Sequence, residues 1–463
     1  MDRTQHKSSA REIFRLAWPT MVEQFLQTIV LYINTAMVGA LGEKASAAIG
    51  ITGTTTWLLM SPAWALGVCT TACISRAIGE NDPRLVRSYT SQALKVSVVL
   101  SIIVTILTLT LSPYIPGWLG AEKDIQADAS RYFSLVCAPY LFNVLNIVFS
   151  AVLRGAGDTR STMNVNLIIN IVHVILNFFF IYPTRTISIL GLSFDMFGFG
   201  LEVAGAGLST AITYVLGGIL MILSYLRHPV LHSKGDRLFI KDNDSLKYMI
   251  AMAIPLVLTR IISSAGQVVF TGLVASLGTT VFAAHSIALT AEEAFYIPGF
   301  GMQSAAISFT GNAIGERNRE KMRLNSRMLM IISSSLMAVT GALLFIFSRN
   351  MMTLFSPDAA VIDYGAAALK IVAISEPVFG LSIILEGIFN GAGDTRHPLI
   401  YASLSMWGIR ILGTYLCVNV FGLGLNAVWL CMVGDNTIRG ILLFVKYLRT
   451  DLFSLSLKDQ PSL

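Results

Sequence analysis

The sequence predicts an all-α polytopic membrane protein, with twelve transmembrane helices in two six-helix lobes related by a parallel internal repeat, the pseudo-two-fold axis lying along the membrane normal. Three observations predict it. Of 463 residues, 54% are hydrophobic and 13% are charged. Soluble proteins average about 25% charged residues, so the excess apolar surface calls for lipid. Twelve runs in the chain match the ~20 mainly apolar residues that a spanning helix needs. The second half of the chain also repeats landmarks of the first at one fixed offset.

The runs lie near residues 13–38, 46–77, 89–113, 131–153, 162–182, 203–226, 247–275, 281–313, 325–347, 364–389, 398–420 and 425–447. They are continuously apolar and do not alternate, which selects helices over a β-barrel. The second and eighth exceed one crossing and are expected to project beyond the bilayer. The first run follows Arg3, Lys7, Arg11 and Arg15. It is too long for a signal-peptide core, contains Pro19, Glu23 and Asn34, and has no small-residue cleavage site after it, so it is expected to stay as a first span. Pro19, Pro62, Pro139, Pro255, Pro298 and Pro377 fall within runs and are expected to interrupt them.

Loop charge orients the chain. Basic residues gather in alternate loops: Arg76, Arg84 and Arg87; Arg154 and Arg160; Arg227, Lys234, Arg237, Lys241 and Lys247; Arg317, Arg319, Lys321, Arg323 and Arg327; and Arg396. The other loops hold Lys44, Lys123, Arg131, Arg185, Arg349 and Lys370, and the C-terminal end adds Lys446, Arg449 and Lys458. The positive-inside rule places both termini in the cytoplasm of a plasma (inner) membrane. The net charge of +6 is then a loop property, and no exposed basic domain remains for nucleic acid.

Residues 155–160 and 391–396 both read GAGDTR, 236 residues apart. The same offset relates RAIGEND at 76–82 to NAIGERN at 312–318, LAWP at 16–19 to MAIP at 252–255, ALG at 40–42 to SLG at 276–278, and Pro62 to Pro298. Six helices per copy make the repeat parallel. The expected division is an N-lobe over 1–226, a cytoplasmic linker over 227–246, a C-lobe over 247–448 and a tail over 449–463. A central cleft is expected between the lobes, formed by the first two helices and their seventh and eighth counterparts. GAGDTR reads as a helix-to-helix loop in which glycine ends one helix and Asp158 or Thr159 caps the next.

Ionisable residues inside the membrane are costly and mark function by default. In the first run Glu23, Gln27 and Asn34 fall on one helical stripe; in the fifth Asn166, Asn170, His173 and Asn177 form another. Each stripe suits an interhelical hydrogen-bond network or a cation or proton site. In the second half Arg260, Ser264 and Gln267 share a face. Glu292 and Glu293 precede Pro298, Glu376 precedes Pro377, and Glu386 follows ten residues on. Asp435 and Arg439 are spaced for an intrahelical pair. Arg260 and Arg410 need acids, and Glu292, Glu376 and Glu386 are available. The surplus carboxylate is a candidate for proton or cation binding, with Glu292 first and Glu376 second. Cys69, Cys73, Cys137, Cys417 and Cys431 lie in apolar stretches and read as buried free thiols, not metal ligands.

Neither G-x-x-x-x-G-K-[ST] nor H-E-x-x-H occurs, so nucleotide-driven pumping and zinc-hydrolase chemistry lose their usual motifs. No enzyme, cofactor or metal is expected, and an ion gradient, sodium or proton, must supply the energy.

The chain resembles the multidrug and toxic compound extrusion (MATE) transporters. The resemblance rests on the two GAGDTR copies, INTAMVGALG at 33–42, IALTAEEAFYIPGFG at 287–301 and AVWLCMVGDNTIRGILLF at 427–444, and runs from about residue 12 to 448. It implies twelve helices in two lobes. It also implies outward export of organic cations or other amphipathic compounds coupled to inward sodium or proton flow; alternating access by rocking of the two lobes is the expected mechanism, and a monomer in contact with membrane lipid the expected state. A flippase for lipid-linked precursors, of the same superfamily, is the alternative. The chain departs from the family at three positions: Asn34 stands at the acidic position of the first helix, His173 and Asn177 stand at an Asn/Asp pair of the fifth, and Ser263 stands at a glutamate of the seventh.

Overall fold

A computed structural model describes residues 3–189, 192–231 and 239–454; Lys234, Arg237 and Lys458 lie outside them. Helix follows every apolar run. The first half holds α1 (Arg3–Gly39), α2 (Glu43–Gly79), α3 (Pro83–Leu111), α4 (Ile115–Trp118), α5 (Lys123–Cys137), α6 (Tyr140–Gly155), α7 (Thr159–Ile181) and α8 (Glu202–Arg227). The second holds α9 (Asn243–Ala275), α10 (Thr279–Gly315), α11 (Arg319–Phe355), α12 (Ala359–Gly391), α13 (Arg396–Ser405), α14 (Leu412–Tyr415) and α15 (Leu425–Arg449). Eight of the described helices are long and apolar enough to cross a membrane, or nine if α5 and α6, bent by 45°, form one span. The four 37-residue helices α1, α2, α10 and α11 are each about 55 Å long. They exceed a hydrocarbon core of about 30 Å.

Three features differ from the sequence reading. The fold is not purely helical: Pro183–Ile189 (β1) and Leu192–Phe199 (β2) pair as an antiparallel hairpin between α7 and α8. Of the six prolines, only Pro139 breaks a helix, between α5 and α6; Pro19, Pro62, Pro255, Pro298 and Pro377 sit inside continuous ones. The eleventh run is helical but irregular, with π-helical stretches at Met406–Ile411 and Leu416–Val420 on either side of α14.

The backbone carries the 236-residue repeat in detail. Gly42 and Gly278 precede α2 and α10 at φ 116° and 104°; Gly157 and Gly393 of the GAGDTR copies sit at 84° and 88°. This left-handed region is open to glycine at little steric cost. Asn81 and Arg317 also match, at 55° and 53°. In each copy the next amide, that of Asp82 or Asn318, donates five residues back, to Ala77 or Ala313. Asp82 and Asn318 then cap α3 and α11 through their side chains, satisfying amides that the first turn leaves unpaired. Asp158 accepts from the Ser161 amide at 3.1 Å and so caps α7. Asp394 accepts from the His397 amide at 3.3 Å.

The halves meet where α2 and α10 cross near their C-terminal ends. A Cβ on Gly79 would lie 2.2 Å from the Asn312 carbonyl oxygen, and one on Gly315 would lie 2.1 Å from that of Arg76. These are one contact made twice, because Gly79 and Gly315, like Arg76 and Asn312, are repeat partners. Gly311 fits against its own partner, Ser75, with only 2.2 Å between a hypothetical Cβ and the hydroxyl. The stretches of α1 around Ile13 and of α9 around Met249 cross over as well. Ile13 and Ala17 pack among Met302, Phe309 and Leu385 of the second half, while their counterparts near Met249 and Met252 join the core of the first. At the opposite end of α2, Gly50 and Gly53 have nothing within 4 Å of a hypothetical Cβ, and Trp57 is 69% exposed.

Candidate functional site

In the first half the polar stripes of α1 and α7 face one another, as the sequence pattern suggests. Glu23 is buried. Its Oε1 accepts from Arg154 Nη1 of α6 at 3.2 Å and from Asn166 Nδ2 of α7 at 2.9 Å; its Oε2 has no partner among the described residues. Asn177, fully buried, donates from Nδ2 to Asn34 Oδ1 at 3.0 Å. His173 Nε2 lies 3.3 Å from the Thr210 hydroxyl of α8. Gln27 is half-buried on the same stripe of α1. Arg154 at the end of α6, which the sequence reading treated only as loop charge, is the cation of this cluster.

The second half is built differently. A cavity of about 400 Å³ opens among α9, α10, α12, α13, the first π-helical stretch and α15. Its walls include Arg260, Ser263 and Gln267 of α9, Glu292, Glu293 and Tyr296 of α10, Glu386 of α12, Arg410, and Asp435, Asn436 and Arg439 of α15. Arg410 sits within the π-helical stretch, whose wider turn advances it around the axis relative to a regular helix. Its Nε lies 2.8 Å from Asp435 Oδ2, and its Nη2 donates to Asn436 Oδ1 at 3.2 Å. Its guanidinium carbon also lies 5.5 Å from the Phe270 ring centroid, within cation–π reach. Arg439 donates to the same Asn436 Oδ1 at 3.0 Å.

Four carboxylates and three guanidiniums therefore share one space, yet among the described residues one ion pair, Arg410–Asp435, joins any of them. Glu292, Glu293 and Glu386 face the cavity without a salt bridge or hydrogen bond among the described residues, and Glu292 is 3% exposed. Carboxylates already shielded from bulk water and left unpaired can take up a cation or a proton.

Several expectations need correction. Asp435 pairs with Arg410 across helices and not with Arg439 along its own, because the guanidinium from the π-helical stretch reaches its side of α15. Ser263, not Ser264, lines the cavity beside Arg260 and Gln267. Arg260 has no carboxylate partner among the described residues and is exposed. Glu376 is not part of the cavity wall. It is fully buried against α11, where a Cβ on Gly341 would come within 2.9 Å of its own Cβ, and neither of its oxygens has a partner among the described residues. Glu293, named in sequence only beside Glu292, lines the cavity instead. This cavity lies wholly within the second half. Cys69 and Cys73 share a face with sulfurs 4.0 Å apart, both buried.

Comparison with known proteins agrees with this architecture. The MatE family model matches residues 19–179 and matches again at 255–416, so its two starting points are separated by the offset that relates the GAGDTR copies. A probable multidrug resistance protein, NorM of Thermotoga maritima, is 26% identical over 440 residues, covering 95% of this chain and 92% of that protein. The multidrug export protein MepA of Staphylococcus aureus is 22% identical, covering 95% and 94%. A crystal structure of MATE in complex with MaL6 has the same fold, with a TM-score of 0.88 at 23% identity over 97% of both chains. With the family model matched in each half and over most of the chain, and with its long apolar helices, the protein belongs to the MATE family of membrane transporters.

Proposed function

We propose that the chain is a secondary active exporter of organic cations or other amphipathic drugs. It works by alternating access between two six-helix lobes, 1–226 and 247–448, twelve spans in all, coupled to inward proton or sodium flow. It acts as a monomer in the plasma (inner) membrane with both termini cytoplasmic. The names of its relatives support the substrate class, and basic loops support the orientation.

The observation that carries the coupling site is Glu292, buried yet unpaired on the wall of a charged cavity. An ion bound there neutralises a carboxylate in one state of the cycle, and the two states then differ in affinity, as coupling requires. One charge moving through 100 mV supplies about 2.3 kcal/mol, enough to hold a gradient of an uncharged substrate of about fortyfold; one-for-one exchange with a monocationic drug is electroneutral, and a tenfold ion gradient then holds a drug gradient of about tenfold. The close α2–α10 crossing at the basic-loop end, with open space along the start of α2, supports a state closed toward the cytoplasm.

The test is efflux of ethidium from proteoliposomes under separately imposed proton and sodium gradients. The wild-type chain is expected to respond to one of them. Glu292→Gln is expected to lose that response, lowering the ethidium gradient sustained by a tenfold ion gradient up to about tenfold. Full efflux by Glu292→Gln under both gradients would show that the coupling site lies elsewhere.

A further inference from the structure

A second space, about 730 Å³, lies away from the carboxylate cavity, between α11 and α15. Both helices pack against α12 and have little direct contact with one another. A groove is left, floored in part by Leu381 of α12. Along α11, Arg323, Arg327 and Ile331 follow at four-residue steps and therefore share a face. Arg449 ends the opposite wall, with Phe444 one turn deeper. One end of the groove is thus basic and the other apolar. Chain after α15 closes the basic end: Arg319 pairs with Asp451 at 2.8 Å, and Leu452 is buried.

Two observations point to a ligand. Arg323, Arg327 and Arg449 have no ion pair or hydrogen bond among the described residues, while Ile331 is 56% exposed beside them. The matching place in the first half is filled by the chain itself. Ser91, the repeat partner of Arg327, accepts from the Ile240 amide at 2.6 Å, and the Ile240 carbonyl accepts from Gln92 at 2.9 Å and from Lys95. In the second half Arg327 stands at the place of Ser91, and Met328 and Ile331 stand at those of Gln92 and Lys95; the short segment Thr450–Phe453 lines the basic end without an ion pair or hydrogen bond to Arg323 or Arg327 among the described residues.

We infer that the groove between α11 and α15 binds an anionic phospholipid, its phosphate on Arg323, Arg327 and Arg449 and its acyl chains along Ile331, Leu381 and Phe444. Three cationic donors fit phosphate oxygens. The apolar end opens toward the hydrocarbon, as an acyl chain needs. Basic pockets between spanning helices on the cytoplasmic side suit such headgroups. The leaflet rests on the proposed orientation; the contact itself does not.

Native mass spectrometry of the full chain, released from micelles holding phosphatidylglycerol and phosphatidylcholine in equal amount, tests this. The wild-type chain is expected to retain phosphatidylglycerol preferentially. At about fivefold per basic residue near the surface, Arg323→Ala with Arg327→Ala is expected to cut that preference at least about tenfold. Arg84→Ala with Lys247→Ala, also exposed but elsewhere, leaves it unchanged. The single exposed Arg449→Gln, which disturbs no packing, is expected to give an intermediate loss if the double variant does not fold. Equal retention of the two lipids overturns the inference, as does an undiminished preference in the groove variants. Displacement by millimolar inorganic phosphate alone would make this a free-anion site and overturn the lipid assignment. A preference seen only after deletion of residues 455–463 would make the chain's own end the occupant and overturn it too. Ethidium efflux by the same samples reports on the exporter reading separately, so failure of one leaves the other standing.

Discussion

The two halves share a backbone and spend their charge differently. In the first, Glu23 is engaged by Arg154 and Asn166, and the neighbouring amides bond to each other. In the second, the repeat partner of Glu23 is Thr259 and that of Asn166 is Ala402, both on the cavity wall. The acids lie on other helices: Glu292 stands opposite the repeat position of Thr56, and Glu386 opposite that of Ser150. A buried charge held by a fixed guanidinium is tied to one arrangement. An unpaired one in a space of about 400 Å³ can change its occupancy. The two scaffolds match while their charges do not, and under the proposed function this difference favours the second half for ion coupling.

That contrast can be broken at its strongest point. Arg154→Ala strands the Glu23 carboxylate in a buried site, and loss of one partner from such a pair costs about 3–5 kcal/mol. Thermal unfolding in detergent is expected to show a large fall for Arg154→Ala and little change for Glu292→Gln, which removes no partner. Equal destabilisation by the two would erase the distinction between an engaged and an open carboxylate.

A smaller effect tests what the halves have in common. Gly315→Val at the α2–α10 crossing places side-chain atoms where even a Cβ would lie 2.1 Å from the Arg76 carbonyl oxygen. Overpacking of this kind costs about 1–3 kcal/mol, charged here against the closed crossing. In a background free of native cysteines, Ser75→Cys is expected to resist thiol reagents while Gly315 is retained, and to react with them once Gly315→Val is added. Smaller still, Gly157→Ala and Gly393→Ala force a Cβ into left-handed backbone at a cost of about 1–2 kcal/mol each. The fall in melting temperature is expected to be at least as large for Gly393→Ala, whose Cβ would lie 2.9 Å from the Tyr248 hydroxyl, as for Gly157→Ala, whose Cβ meets only Leu16 at 3.9 Å; a loss of transport from one alone would assign that copy a further role.

Much of this was legible in the residues. Apolar length located the helices, the identical GAGDTR segments located the duplication, and the acid in the first copy capped its helix as the pattern required. The hairpin was missed although PTRTISI and LSFDMFGF are rich in β-branched and aromatic residues around a glycine, a strand signal that a search for spanning helices passes over. The partner of Asp435 was missed because four-residue spacing describes neighbours on one helix. Arg410 reaches it from another, through a π-helical stretch that periodicity at 3.6 residues does not register. Glu376 and Glu386 are both acids in one long helix. Only the packing of α11 over one and the opening beside the other separates a sealed carboxyl from an accessible one.

The reciprocal touch of Gly79 on Asn312 and Gly315 on Arg76 has a consequence for ancestry. Two free chains of half this length, meeting face to face, would make both contacts from a single pair of positions, as any isologous dimer does. Joining them in one polypeptide turns an encounter between molecules into an intramolecular one, at millimolar effective concentration for a short tether. Once partners cannot be lost by dilution, each side of the junction is free to change its sequence without matching the other. Arg76 and Asn312 meet the opposite glycine through their backbone carbonyls, so the side chains at this repeat position differ without altering the contact.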